Sequence, residues 1–215
     1  MNITLFQFLL AIFFLTVIFL HVVKKNSGAA TLYSIQSLVV VVFMLFFYFE
    51  THNIYTLLIA ALILLVKVIL TPVFVYRLIK NDGLKFSAST FVNAPLTLII
   101  VTVLTIVAHS PVFVPLVTIV PANQELVSLT LSALFVSLFL IVNRKGAISQ
   151  IIGILSLENS IVIFALLSGL EQSAGLQAGI LFDILIWTFI ATVFISNIYE
   201  HFGTLDVTEM KKLKD

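Results

Sequence analysis

Seven long apolar stretches constrain the fold of this chain more than any other feature. A helix needs about 20 mainly apolar residues to cross about 30 Å of hydrocarbon. The stretches are continuously apolar, which favours helices over the alternating strands of a membrane barrel. Of the 215 residues, 61% are hydrophobic and 10% are charged, against about 45–50% and about 25% in soluble domains. We therefore expect an all-α, polytopic transmembrane bundle, a single domain over 1–215, with spans at 3–23, 29–49, 55–79, 90–110, 125–142, 147–169 and 176–199.

The charged residues near the ends of these spans segregate by sign. Ten of the 11 basic residues lie at or after the first, third, fifth and seventh spans: Lys24, Lys25, Arg77, Lys80, Lys85, Arg144, Lys145, Lys211, Lys212 and Lys214. The other connections carry Glu50, Glu125 and Glu171 without any Lys or Arg. The positive-inside rule then predicts an outside N-terminus and a cytoplasmic tail at 201–215.

The segment 108–124 interrupts this regular pattern. It contains Pro111, Pro115 and Pro121, and each proline lacks a backbone donor. A straight helix is therefore not expected there. The segment is predicted to be either an outside loop or a kinked extension of the fourth span.

Charge and cysteine content exclude several classes of function. The chain has 11 Lys and Arg against 10 Asp and Glu, without the basic excess that a nucleic-acid-binding protein needs. It has no cysteine, which excludes disulfides, thiolate zinc sites and cysteine-ligated iron–sulfur clusters. His21 and His201 are predicted near the cytoplasm, and His52 and His109 near the exterior. A bis-histidine haem needs two ligands at one depth on facing helices, whereas His52 is in a loop and His109 is in a proline-rich segment. We expect no metal, no cofactor and no catalytic centre on this chain.

Three ionisable residues are predicted to lie within the bilayer. Lys67 is at the middle of the third span, Glu158 is at the middle of the sixth, and Asp183 lies seven residues into the seventh. Each such charge costs about 2.5–3.5 kcal/mol on insertion scales, so residues of this kind usually have a functional role. Burial and mutual attraction oppose each other in setting their protonation, which suits a proton relay. The alternative is a structural ion pair, for instance between Lys67 and Glu158, or a pair with another chain.

Polar side chains accompany Glu158 at helical spacing, and we assign them a supporting role. They are Ser156, Asn159 and Ser160. Hydroxyl and amide groups of this kind bind the water molecules of a proton path, but they also form hydrogen bonds between membrane helices.

Two further supporting residues belong to the second and third spans. Pro72 lacks an N–H, which frees the carbonyl of Val68 beside Lys67 to hold the ammonium or a water molecule. Gln36 belongs to a polar stretch near the start of the second span, where Ser34 and Ser37 share one face and Gln36 is predicted to face elsewhere.

Several stretches resemble one protein family. They are 32–38 (LYSIQSL), 67–72 (KVILTP), 150–153 (QIIG) leading into 157–159 (LEN), Asp183, and 203–207 (GTLDV). Together they resemble hydrogenase-4 component E, a membrane subunit of formate hydrogenlyase-type complexes and related group 4 [NiFe] hydrogenases. The matches run from the second helix to the C-terminal tail, so the likeness covers nearly the whole chain, in which helices one to four occupy 1–110.

The helices within 124–200 are also similar to the K-type (4L) subunit of respiratory complex I and to the C subunit of multisubunit cation/proton antiporters. The likeness implies that Glu158 corresponds to the first carboxylate of a proton-conducting axis, with Asp183 the looser match to the second. It further implies a prokaryotic plasma membrane, antiporter-like and connecting subunits as partners, and redox centres on other chains. A structural spacer subunit and an autonomous transporter are the alternatives.

Overall fold

The apolar stretches fold into helices because a helix satisfies every backbone N–H and C=O within one segment. A computed structural model describes residues 3–81, 89–117 and 124–168. In these ranges the chain is helical and contains no strand, only an isolated bridge between Thr90 and Arg144. The α-helices are α1 Ile3–Val22, α2 Asn26–Thr51, α3 Ile54–Ile63, α4 Thr71–Asn81, α5 Ala94–Ala108, α6 Val114–Val117, α7 Gln124–Asn143 and α8 Ala147–Leu167.

Helix α3 continues into α4 through a π-helix, Leu64–Leu70. A π-helix bonds each N–H to the carbonyl five residues earlier, one residue further than in an α-helix. At its end, both the N–H and the hydroxyl of Thr71 donate to the carbonyl of Val66. The three elements together form one continuous apolar helix that carries Lys67 within its π-helical part.

The prediction of an all-helical chain with long apolar spans is confirmed for the described residues. Five helices there are long and apolar enough to cross a membrane: Thr4–Val22, Asn26–Thr51, Ile54–Arg77, Gln124–Asn143 and Ala147–Leu167. The chain is therefore compatible with a multi-pass membrane protein. The span predicted at 176–199, with Asp183, lies outside the described residues, as does the tail at 201–215.

The span predicted at 90–110 is shorter in the structure. Helix α5 has 15 residues, about 22 Å at 1.5 Å per residue, less than the hydrocarbon thickness of about 30 Å. The chain turns at His109 and Ser110, and continues as a 3-10 helix at Pro111–Phe113 and as the short α6. The Phe113 ring contacts that of Phe135 on α7, with 5.3 Å between centroids. Over 108–117 the prolines thus give short helical turns rather than one straight helix.

The basic residues of the described loops lie at one end of the bundle. Thr31 near the start of α2 bonds Tyr76 near the end of α4, at 2.6 Å. The Thr90–Arg144 bridge joins the chain before α5 to the end of α7. We call this the basic end, defined by Lys24, Lys25, Arg77, Arg144 and Lys145; the opposite, acidic end carries Glu50 and Glu125.

Arg144 is a buried residue of the basic end and not a solvated loop charge. Its side chain is 2% exposed, and its guanidinium donates to the carbonyl oxygens of Leu20 and Val23. These carbonyls end α1, where helical partners are missing and a positive charge is favoured. Burial lowers the pKa of Arg144 to about 10, so the guanidinium keeps its charge at pH 7 and fastens α1 to the end of α7.

Helices α7 and α8 approach each other closely at Gly153. A Cβ on this residue would lie 3.0 Å from the Ile141 side chain and 3.3 Å from the Ile141 backbone. A glycine therefore allows a helix contact that a larger residue would widen. This contact brings the serines of α7 and α8 within hydrogen-bond distance of each other, which forms one side of the site described next.

Candidate functional site

An ion pair lies in the middle of the described bundle. The ammonium of Lys67, in the π-helix, is 2.8 Å from Oε1 of Glu158 on α8. Lys67 is 1% exposed and Glu158 is 13% exposed. Glu158 is 11 residues from the start of α8, about 16 Å from the basic end at 1.5 Å per residue. Both charges are thus buried far from the ends of their helices.

Asn159 connects this ion pair to α2. Its Oδ1 accepts a 3.0 Å hydrogen bond from Lys67 Nζ, and its Nδ2 donates to Ser37 Oγ at 2.9 Å. The same Nδ2 lies 3.5 Å from Gln36 Oε1. Asn159 is fully buried, and the amide uses both its donor and its acceptor side. It therefore joins three helical elements at one point.

Hydroxyl groups extend the network from α2 to α7. Gln36 Nε2 donates to Ser156 Oγ at 2.9 Å, and Ser137 Oγ on α7 lies 3.2 Å from both Ser156 Oγ and Ser160 Oγ. Ser160 also donates to the carbonyl of Ser156 at 3.0 Å. All four side chains are 0% exposed. A serine hydroxyl both donates and accepts. Each hydroxyl of this network can therefore rotate and exchange its donor and acceptor roles with its neighbours.

Pro72 has no N–H to donate to the carbonyl of Val68. In a regular α-helix the Val68 carbonyl would accept from residue 72, which here has no N–H. Ser34 Oγ on α2 donates to this carbonyl at 2.9 Å. The Val68 carbonyl next to Lys67 is thus held by a neighbouring helix.

Most of the predicted site residues come together in the structure. Lys67, Glu158, Asn159, Ser156, Ser160 and Gln36 form one connected network, with Pro72 one helical turn from Lys67. Asp183 lies outside the described residues. The Asn159 amide contacts both Ser37 and Gln36. Gln36 faces a different element from Ser34, as predicted, because the π-helix and α8 both border this part of α2. Its long side chain reaches Ser156 on α8, while Ser34 turns to the π-helix.

Sequence reasoning missed two residues of the site. Ser137 joins the serines of α8, and its only signal was a hydroxyl within an apolar stretch. Tyr33, within the 32–38 stretch of α2, is 1% exposed, and its ring belongs to an apolar cluster. Polar residues in an apolar span are the general signal for both, because lipid offers them no partner.

A separate polar region lies at the acidic end. His109, at the end of α5, is 3.4 Å from Ser132 Oγ of α7. A cavity of about 200 Å³ beside it is lined by residues that include Ser110, Glu125 and Ser128. Among the hydrogen bonds of the described residues, none links this region to the Lys67–Glu158 network.

Comparison with known proteins gives no match: no protein-family model, no curated protein and no solved structure matches this chain.

Proposed function

We propose that this chain is a non-catalytic membrane subunit of an energy-converting hydrogenase complex of the formate hydrogenlyase type. In this proposal Lys67 and Glu158 belong to a proton path, and Asp183 of the predicted seventh span continues it. Seven spans, an outside N-terminus and a cytoplasmic C-terminus in a prokaryotic plasma membrane complete the proposal. The partners are antiporter-like and connecting membrane subunits. The redox centres of the complex lie on other chains.

One observation carries the proton path: the buried Lys67–Glu158 ion pair within a connected set of hydroxyl and amide groups. Breaking a buried pair is costly, whereas replacing both charges by apolar groups is often neutral or stabilising. A buried ion pair is therefore weak evidence that Lys67 and Glu158 serve only to stabilise the fold. Two groups that can exchange a proton, next to reorienting hydroxyls, support transfer.

The family assignment rests on the sequence resemblance. The motifs 67–72 and 157–159 that carry the resemblance contain the two charges of the pair. The absence of cysteine from the whole sequence agrees with redox centres on other chains.

Replacement of Glu158 by glutamine tests the proposal. Glu158→Gln keeps the shape of the side chain and its hydrogen-bonding capacity but removes the charge. We expect the complex to assemble and to reduce or oxidise soluble dyes normally, while proton translocation is lost. Glu125→Gln at the exposed acidic end is the matched control and should translocate protons normally. Normal translocation in Glu158→Gln would contradict the proposal.

A structural spacer is the second candidate, favoured by the direct contact of Lys67 with both Glu158 and Asn159. If the network only joins α8 to α2 and the π-helix, Glu158→Gln should disrupt assembly instead of translocation.

Gentle purification of the tagged chain identifies its partners. A C-subunit-like place in a cation/proton antiporter predicts copurification of antiporter subunits without hydrogenase subunits, and an autonomous transporter predicts ion flux by the chain alone in liposomes.

A further inference from the structure

Buried oxygen atoms on two facing helices have no hydrogen-bond partner within 3–81, 89–117 and 124–168, the ranges that the structure describes. They are Oη of Tyr33 on α2 and both carboxylate oxygens of Glu158 on α8. Oε1 of Glu158 contacts the Lys67 ammonium as an ion pair, whereas Oε2 accepts no hydrogen bond from the described residues. Tyr33 is 1% exposed, and its hydroxyl is not used by the network described above.

Tyr33 and Glu158 belong to parts of α2 and α8 that are in contact with each other. Tyr33 is one helical turn before Ser37, which accepts from Asn159, the neighbour of Glu158. The Tyr33 ring belongs to the same apolar cluster as Leu155, one turn before Glu158 on α8. Helices α2 and α8 are thus in contact at the level of Tyr33 and Glu158, and the Tyr33 hydroxyl is buried there without a hydrogen bond to the described residues.

Leaving such groups unpaired is energetically unfavourable. Each buried donor or acceptor without a partner costs about 1–3 kcal/mol, and a charged group costs more. Buried polar groups without protein partners typically bind ordered water, which makes about three hydrogen bonds. A water molecule matches the chemistry of both groups, because it donates to a carboxylate oxygen and also donates to or accepts from a phenol hydroxyl.

We propose that Tyr33 and Glu158 bind a buried water molecule between α2 and α8, and that Tyr33 positions this water for proton exchange with Glu158. The water accepts a proton from the Glu158 carboxylic acid, which leaves a carboxylate and a hydronium ion, and the reverse step restores both. The Tyr33 hydroxyl holds the water by a hydrogen bond and stays protonated. The transfer step rests on the proposed function, whereas the water site does not.

A high-resolution map of the intact complex tests the water site. We expect solvent density within hydrogen-bond distance of both Tyr33 Oη and a Glu158 carboxylate oxygen. The density should be absent from Tyr33→Phe, which keeps the ring and its packing, and present in Tyr48→Phe, a matched control on the same helix. A direct bond between Tyr33 and Glu158 with no solvent density in the wild type would overturn the proposal.

Proton translocation tests the positioning role separately. Tyr33→Phe should slow translocation about tenfold, the factor that corresponds to loss of one hydrogen bond, while dye-linked activity and the Tyr48→Phe variant stay normal. Normal translocation in Tyr33→Phe would overturn the positioning role. If Glu158→Gln also translocates normally, the proposed function fails, but the map still decides whether water is bound.

Discussion

Ser34 Oγ on α2 donates a 2.9 Å hydrogen bond to the carbonyl oxygen of Val68, one residue beyond Lys67. Pro72 removes the N–H that would occupy this carbonyl in a regular α-helix. The contact therefore joins α2 to the π-helix beside the ion pair. It also fixes the backbone that carries the ammonium of the ion pair.

Substitution of Ser34 and Pro72 measures this coupling. Ser34→Ala should lower the free energy of unfolding in detergent by about 1–2 kcal/mol, because the Val68 carbonyl loses its donor. In the Pro72→Ala background the alanine N–H can replace the hydroxyl, so the same Ser34 substitution should cost less. A double-mutant cycle gives the interaction energy. An additive result would mean that Pro72 does not make the Val68 carbonyl available to Ser34.

Arg144 offers a test of how the basic end is held together. Arg144→Met should lower the free energy of unfolding by about 2–4 kcal/mol, because the carbonyls of Leu20 and Val23 lose a charged donor. Its neighbour Lys145 lies 5.1 Å from the centroid of the Phe91 ring. Lys145→Met is the matched control and should cost less than about 1 kcal/mol. Equal losses in the two variants would show that the buried guanidinium does not fasten α1.

The sidedness of the chain is testable because the native sequence has no cysteine. Single cysteines at Lys25 and at Glu125 place one thiol at each end of the described bundle, both at exposed positions. In intact cells a membrane-impermeant maleimide should label Glu125→Cys, whereas Lys25→Cys should need permeabilised cells. Labelling of both from outside, or the reverse pattern, would contradict an outside N-terminus.

The sequence identified the two charges of the site because each is isolated within an apolar stretch. Lys67 and Glu158 could be identified without knowledge of the fold, because a charge within an apolar span is costly wherever the helix packs. Hydropathy could not predict that they pair with each other, because it indicates the position of a residue along a span and not the helix that the residue faces. Asn159 was found by spacing alone, but its link to Ser37 depends on the contact of α8 with α2.

Other features could not be read from hydropathy. The π-helix around Lys67 has the same apolar composition as an α-helix, and its hydrogen bonds depend on the proline that follows and on the neighbouring α2. Arg144 resembled a loop charge, whereas its partners are carbonyls more than 100 residues earlier in the chain. Helix α5 was predicted too long, because hydropathy continued through the residues where the chain turns at His109 and Ser110.

Simultaneous replacement of both charges distinguishes proton transfer from a structural contact most directly. Lys67→Met combined with Glu158→Gln removes the ion pair without leaving either charge alone in the bundle, so the complex should assemble with normal dye-linked activity. Proton translocation by this double variant, measured in sealed vesicles, is predicted to be absent. Translocation at the wild-type rate would show that the buried pair carries no protons and serves only to join the helices.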